Sequence, residues 1–125
     1  LVVDDEVAVT TITKRQLESL GYKVTVNNSS LGAFDDFCEQ PAYYDLIITD
    51  NTMPKMSGSE LIKKIKHLRT DMPVILISGN LTLESKAKAK ESGANSIIVK
   101  PIDLNDLSII VRNILRHKKN KFLQK

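Results

Sequence analysis

Short apolar runs recur at Leu1-Val2-Val3, Tyr22 to Val26, Asp45 to Thr49, Val74 to Ser78 and Ser96 to Val99. Except for the more alternating second run, they are rich in β-branched residues and lack polar alternation. A strand with one wet face alternates; one that does not must be covered on both faces, which is the condition of strands in a parallel sheet. The first run opens without a preceding turn, so the sequence is expected to begin inside a strand, with some natural N-terminal residues missing. Between the runs the period becomes helical. Leu61, Ile62, Ile65 and Leu68 form a stripe across about Ser57 to Arg69, and Ile12, Leu17 and Leu20 form another before Gly21, a helix stop. Asp103 after Pro101 suits the N-cap of a last helix carrying Leu104, Leu107, Val111, Ile114 and Leu115. The Lys- and Ala-rich segment Thr82 to Ser92, which ends at Gly93, has only Leu83, Ala87 and Ala89 to bury. Five strands alternating with five helices predict an α/β sandwich with right-handed crossovers.

At 125 residues the chain fits one domain. The prediction divides it into a folded unit over 1–121 and a basic tail or linker start over 122–125. With 42% hydrophobic and 26% charged residues, it reads as globular rather than disordered. It contains neither a signal-peptide pattern nor an apolar run approaching the roughly 18 residues of a membrane span. The single cysteine, Cys38, lies beside Phe34 and Phe37 at helical spacing and is expected to pack in the core. A lone cysteine is compatible with a reducing cytoplasm. The net charge is +3, yet Arg112, Arg116, Lys118, Lys119, Lys121 and Lys125 alone exceed it, so the rest of the chain is slightly acidic. Cations at the end of a helix suit its dipole, which argues against nucleic-acid binding by this domain. His67 and His117 are expected on solvent-facing helix surfaces.

The chemistry-bearing residues fall at strand ends. Asp4 and Asp5 follow the first strand, Asp50 ends the third, Ser78 the fourth, and Lys100 the fifth, before Pro101. In a parallel sheet these ends share one edge, where ligands bind. Three carboxylates gathered there repel one another unless a cation intervenes, and Mg²⁺ prefers such oxygen donors. A carboxylate nucleophile, a divalent ion, a lysine and a hydroxyl donor are the parts that phosphoryl transfer needs. Taken singly, each has a plainer reading: Asp-Asp caps a helix, Ser78-Gly79 turns the chain, and Lys100-Pro101 is a surface loop. Their agreement at four strand ends carries the argument.

The segments Leu1-Val2-Val3-Asp4-Asp5-Glu6, Asp50-Asn51-Thr52-Met53-Pro54, Ser78-Gly79 and Lys100-Pro101 resemble the receiver domains of two-component signalling. Gly58 and Gly93-Ala94 fit as well, and the resemblance covers essentially the whole chain. It implies a flavodoxin-like (βα)5 three-layer sandwich with parallel sheet order 2-1-3-4-5. It also implies Mg²⁺-dependent phosphorylation of Asp50 from a phosphohistidine, with Asp5 as direct metal ligand and Asp4 holding metal-bound water. Thr52 would offer its backbone carbonyl to the metal, while Ser78 and Lys100 would contact the phosphoryl group. The implied partner is a sensor histidine kinase or phosphotransfer protein. The output surface surrounds the fourth helix, fifth strand and fifth helix, a face that also suits a homodimer. The implied setting is cytoplasmic, with no membrane insertion.

Ile97 departs from the family, which often has Tyr or Phe three residues before the lysine. A rotating aromatic cannot report phosphorylation here, and Ile97 is expected in the strand core. A Mg²⁺-dependent phosphatase with an aspartyl nucleophile is the competing enzyme reading, but such enzymes have Asp-x-Asp after the first strand rather than Asp4-Asp5-Glu6. Neither a Gly-x-Gly-x-x-Gly nor a Gly-x-x-x-x-Gly-Lys run occurs. The domain itself is therefore expected to be a phosphoacceptor switch rather than an enzyme. Asp-x-Thr-Met-Pro-Lys-Met-Ser-Gly followed by Val-Ile-Leu-Ile-Ser-Gly is similar to receivers fused to histidine kinases. A hybrid-kinase segment and a stand-alone regulator both stay open. Thr52 and Asn80 flank the phosphorylation site, where they are expected to bear on the lifetime of the phosphorylated state.

Overall fold

The computed structural model describes residues 1–79 and 82–123, side chains excepted at 85 and from 117 onward. Strands β1 (Val2–Val3), β2 (Val26–Asn27), β3 (Ile47–Asp50), β4 (Val74–Ser78) and β5 (Ser96–Val99) alternate with five helices. These are α1 (Val7–Ser19), α2 (Ser30–Glu39), α3 (Gly58–Leu68), α4 (Leu83–Ser92) and α5 (Leu104–Leu123). All strands are parallel and lie in the order β2-β1-β3-β4-β5, the flavodoxin-like arrangement expected from the sequence. Asn80 lies outside the described residues, as do the last two residues of the tail. Helix α5 passes residue 121 and continues to Leu123.

The inner strands divide their side chains between two cores. Val74 and Leu76 of β4 join Val3, Phe37, Ile47, Ile62 and Ile65 beneath α2, α3 and α4. Ile75 and Ile77 join Val2, Leu17, Ile48, Leu107 and Val111 beneath α1 and α5. All five residues of β4 are buried, so its unbroken apolar run is what a two-sided position requires. Each fully buried Leu or Ile contributes about 1.5–3 kcal/mol relative to exposure. Helix caps set the entries: the Ser57 hydroxyl accepts from the Glu60 N–H, and the Asp103 carboxylate accepts from the N–H groups of Asn105 and Asp106.

Several expectations are corrected. Cys38 is exposed, because α2 turns Ser30, Ala33 and Phe37 inward and the next position rotates about 100° toward solvent. On α1 the buried stripe is Thr10, Thr13 and Leu17, leaving Ile12 at 52% and Leu20 at 53% exposure. Ile12 lies off that stripe, and Leu20 is already the C-cap. Leu68 is likewise exposed at the last residue of α3, where Arg69 turns to extended backbone. Of the residues expected to anchor the fourth helix, only Ala89 is buried; Ala87 and Leu83 are exposed, and Ser92 is the other inward residue among the described side chains. Strand β2 is shifted to Val26–Asn27 because it lies at the sheet edge and can pair only with the two residues of β1. Ile97 is half-buried against the core that includes Ala89, and His67 is exposed. The side chain of His117 lies outside those described.

Candidate functional site

The parallel register delivers the site. Val3 pairs with Thr49, Asp50 with Ile77, and Ser78 with Val99, so the residues that follow emerge at one edge. One carboxylate oxygen from each of Asp4, Asp5 and Asp50 lies within 4.8 Å of the others. Asp4 is 2% and Asp50 3% exposed, whereas Asp5 is open to solvent. The Lys100 ammonium lies 2.9 Å from Asp50 Oδ1. Its backbone N–H donates to the Ser78 carbonyl at 2.9 Å, which places the β4 and β5 ends side by side. Thus Asp4, Asp5, Asp50 and Lys100 lie together, and Ser78, 6% exposed, ends the neighbouring strand. Thr52 lies exposed on the loop after β3, two residues beyond Asp50.

Two features shape that loop. Gly58, at the start of α3, sits against the strand end: a Cβ there would collide with the Asp50 carbonyl oxygen and come 2.9 Å from the Asn51 Cα. Asn51, to which the sequence alone assigned no role, ties loop to helix. Its side-chain oxygen accepts from the Ser59 N–H at 3.2 Å and the Ser59 hydroxyl at 3.0 Å, while its carbonyl accepts from the Gly58 N–H. The available signal was an Asn shortly before a helix start, where Asn side chains often engage backbone N–H groups.

Burial pushes the Asp4 carboxyl up to about 6; the Glu6 N–H pulls the other way and the Asp50 charge adds to the rise. Asp50 is also raised, first by burial, with the hydrogen bond and charge of Lys100 opposing. Burial lowers Lys100, but its hydrogen bond and attraction to Asp50, with Asp4 and Glu6, hold it above the usual lysine value. One lysine is thus shared among carboxylates that resist ionising together. Asp4 Oδ1 accepts from the Glu6 N–H, whereas buried Oδ2 has no hydrogen-bond partner among the described residues. An orphaned carboxylate oxygen beside two further carboxylates fits a hard divalent cation with oxygen ligands.

The family model for the response regulator receiver domain matches residues 1–112. The chain belongs to the response-regulator receiver domains. This receiver is 35% identical to a response regulator receiver domain protein from Clostridium thermocellum, with TM-score 0.88 and 94% of each chain covered. A CheY-like receiver domain protein from Methanospirillum hungatei gives TM-score 0.89 at 28% identity, covering 96% of this chain and 94% of that one. Among curated proteins, the receiver is 38% identical over 117 residues to the DNA-binding transcriptional regulator NtrC of Azospirillum brasilense, covering 92% of this chain and 24% of that protein. It is 32% identical over 117 residues to the transcriptional regulatory protein ZraR of Klebsiella oxytoca, covering 94% of this chain and 26% of that protein. It therefore spans about a quarter of the length of these curated relatives. No helix among the described residues is long and apolar enough to cross a membrane.

Proposed function

We propose that this receiver is the phosphoacceptor of a two-component phosphorelay, taking a phosphoryl group on Asp50 and switching a surface read by an output partner. The observation that carries this reading is a nearly inaccessible Asp50 held between the Lys100 ammonium at 2.9 Å and two further carboxylates. An Asp50 carboxylate oxygen attacks the phosphorus of a phosphohistidine on a kinase or phosphotransfer protein. The O–P bond forms as the P–N bond breaks, and the electron pair leaves with the imidazole nitrogen, which takes a proton. Held by Asp5, Asp50 and the Thr52 carbonyl, with Asp4 holding metal-bound water, Mg²⁺ would neutralise charge developing on the phosphoryl oxygens. Lys100 exchanges its pairing with the carboxylate for pairing with the phosphoryl group, and the Ser78 hydroxyl donates to a phosphoryl oxygen.

The modified aspartate brings roughly −1.5 to −2 charges, by analogy with other phosphorylated residues. With Ile97 at the position where relatives often carry an aromatic, the response passes through the backbone after β4 and through α4. Among the described side chains of α4, Ala89 and Ser92 are the buried ones, which suits an element that shifts between two states. We read 1–121 as the receiver unit, working in the cytoplasm. The transcriptional regulators among its relatives favour an output of that class over a hybrid kinase.

The test is intact mass after incubation with acetyl phosphate, with and without Mg²⁺, on wild type and Asp50→Asn. The expected result is a Mg²⁺-dependent gain of one phosphoryl group, absent in the variant. Stoichiometric labelling of Asp50→Asn would overturn the assignment, and sustained turnover of a phosphate ester would favour a phosphatase.

A further inference from the structure

The β2–α2 loop contributes none of the groups assigned above, yet it grips the acidic cluster from behind. Asn28, the first residue after β2, is exposed, but its amide nitrogen reaches inward. It donates to the backbone carbonyl of Asp4 at 2.9 Å and to the Thr10 hydroxyl at 3.0 Å. Both recipients are buried, Asp4 to 2% and Thr10 to 1% exposure. The Thr10 hydroxyl in turn donates to the Val7 carbonyl at 3.0 Å, so both amide protons of Asn28 are engaged and the chain of donors ends in the first turn of α1.

The neighbouring residues hold Asn28 in place. The Asp4 N–H donates to the Asn27 carbonyl at 3.3 Å. The Asn27 side chain accepts from the Ser29 N–H and donates to Asp36 on α2, each at 2.9 Å. Gly32 makes room for that amide, since a Cβ there would lie 2.9 Å from the Asn27 side-chain oxygen. Ser30, 2% exposed, places its hydroxyl 3.5 Å from the Pro54 carbonyl on the loop after β3. The loop and the first residue of α2 therefore touch both segments that carry the oxygen donors.

The Asp4 backbone is fixed on both sides, its N–H by Asn27 and its carbonyl by Asn28, while its carboxylate faces the repulsion of Asp5 and Asp50. We propose that Asn28 is a positioning residue for the cation site: it anchors the Asp4 backbone to α1 so that the Asp4 carboxylate stays within the cluster before any cation arrives. Groups that orient a ligand in this way typically change metal affinity about 10- to 100-fold when removed. The inference rests on the cation reading of the proposed function and extends it to a residue outside the ligand set.

The experiment is calorimetric titration of Mg²⁺ into wild type, Asn28→Ala, Asn28→Leu, Thr10→Val and Asp5→Asn, with melting temperatures in EDTA. Expected are measurable binding by wild type, its loss in Asp5→Asn, and affinity about tenfold weaker in both Asn28 variants. Thr10→Val shifts affinity less, in the same direction. Labelling by acetyl phosphate at saturating Mg²⁺ stays near the wild-type rate in Asn28→Ala, a split between affinity and rate that a merely structural role does not produce. The leucine variant keeps similar bulk without a donor, should the alanine variant fail to fold. A lower melting temperature with unchanged Mg²⁺ affinity would overturn the assignment of Asn28 alone. Absence of binding by wild type would instead overturn the cation reading, and this inference with it.

Discussion

Lys100 and Asp50 meet across β4: the ammonium following β5 lies 2.9 Å from the carboxylate that ends β3. The lysine is 30% exposed and the aspartate 3%, so the lysine meets solvent while the aspartate depends on the protein for its counter-charge. Removing one partner of such a pair leaves a buried charge uncompensated. Lys100→Met is expected to destabilise the metal-free protein by about 1–3 kcal/mol, below the fully buried range because the ammonium is partly solvated. It is also expected to slow labelling by acetyl phosphate. Urea unfolding and timed intact mass check the two effects; unchanged stability would mean that the pair contributes nothing in solution.

Acid should stabilise the metal-free receiver. The Asp4 carboxyl is raised from 3.8 to about 6 in the folded protein, so between those values the folded state binds more protons than the unfolded one. By linkage, stability is highest below the unfolded value and declines as pH rises through about 4 to 6. The full shift corresponds to at most about 3 kcal/mol, and Asp50, shifted the same way, adds to the slope. Denaturant melts in EDTA across this range should show the decline, and Asp4→Asn should flatten it. A flat wild-type profile would contradict the burial of these carboxylates.

Adding Mg²⁺ should reverse that trend. A cation binds the ionised carboxylates of the folded state and stabilises it in proportion to RT ln(1 + [L]/Kd). The rise in melting temperature on adding Mg²⁺ should therefore be larger at pH 7 than at pH 5, and absent in Asp5→Asn. An equal rise in that variant would place the ion elsewhere.

Gly58→Ala tests the approach of α3 to the phosphoacceptor strand. The added methyl meets the backbone of Asp50 and Asn51, which cannot swing aside as a side chain would. Destabilisation of about 1–3 kcal/mol or more is expected, together with slower labelling of Asp50 as the loop is displaced. Equilibrium unfolding measures the first and intact mass the second.

Cys38 offers a direct check on α2. An exposed thiol should react with a thiol-specific chromogenic reagent in the native protein at a rate of the same order as in urea. Strong protection would return Cys38 to the core.

The alternation of two-sided apolar runs with helical stripes required a covered parallel sheet. It thereby places Asp4, Asp5, Asp50, Ser78 and Lys100 at one edge. That much was legible because strand faces and strand ends are local properties of the pattern. Helix rotation was less legible. The stripe through Ile12 and Leu20 and the burial of Cys38 failed because neighbouring apolar positions on a helix differ by about 100°, and the packed partner decides which turns inward. Thr10 displaced Ile12 on that face, its hydroxyl satisfied by the Val7 carbonyl. The sequence by itself determined the strand order's consequence, a shared edge carrying three carboxylates, a hydroxyl and a lysine. Only the tertiary structure decided which carboxylates lost their water, which oxygen of Asp4 was left without a partner, and that the Asn28 amide would donate to the Asp4 backbone carbonyl. Burial and side-chain hydrogen bonds between distant segments depend on how elements pack, and no spacing along the chain encodes them.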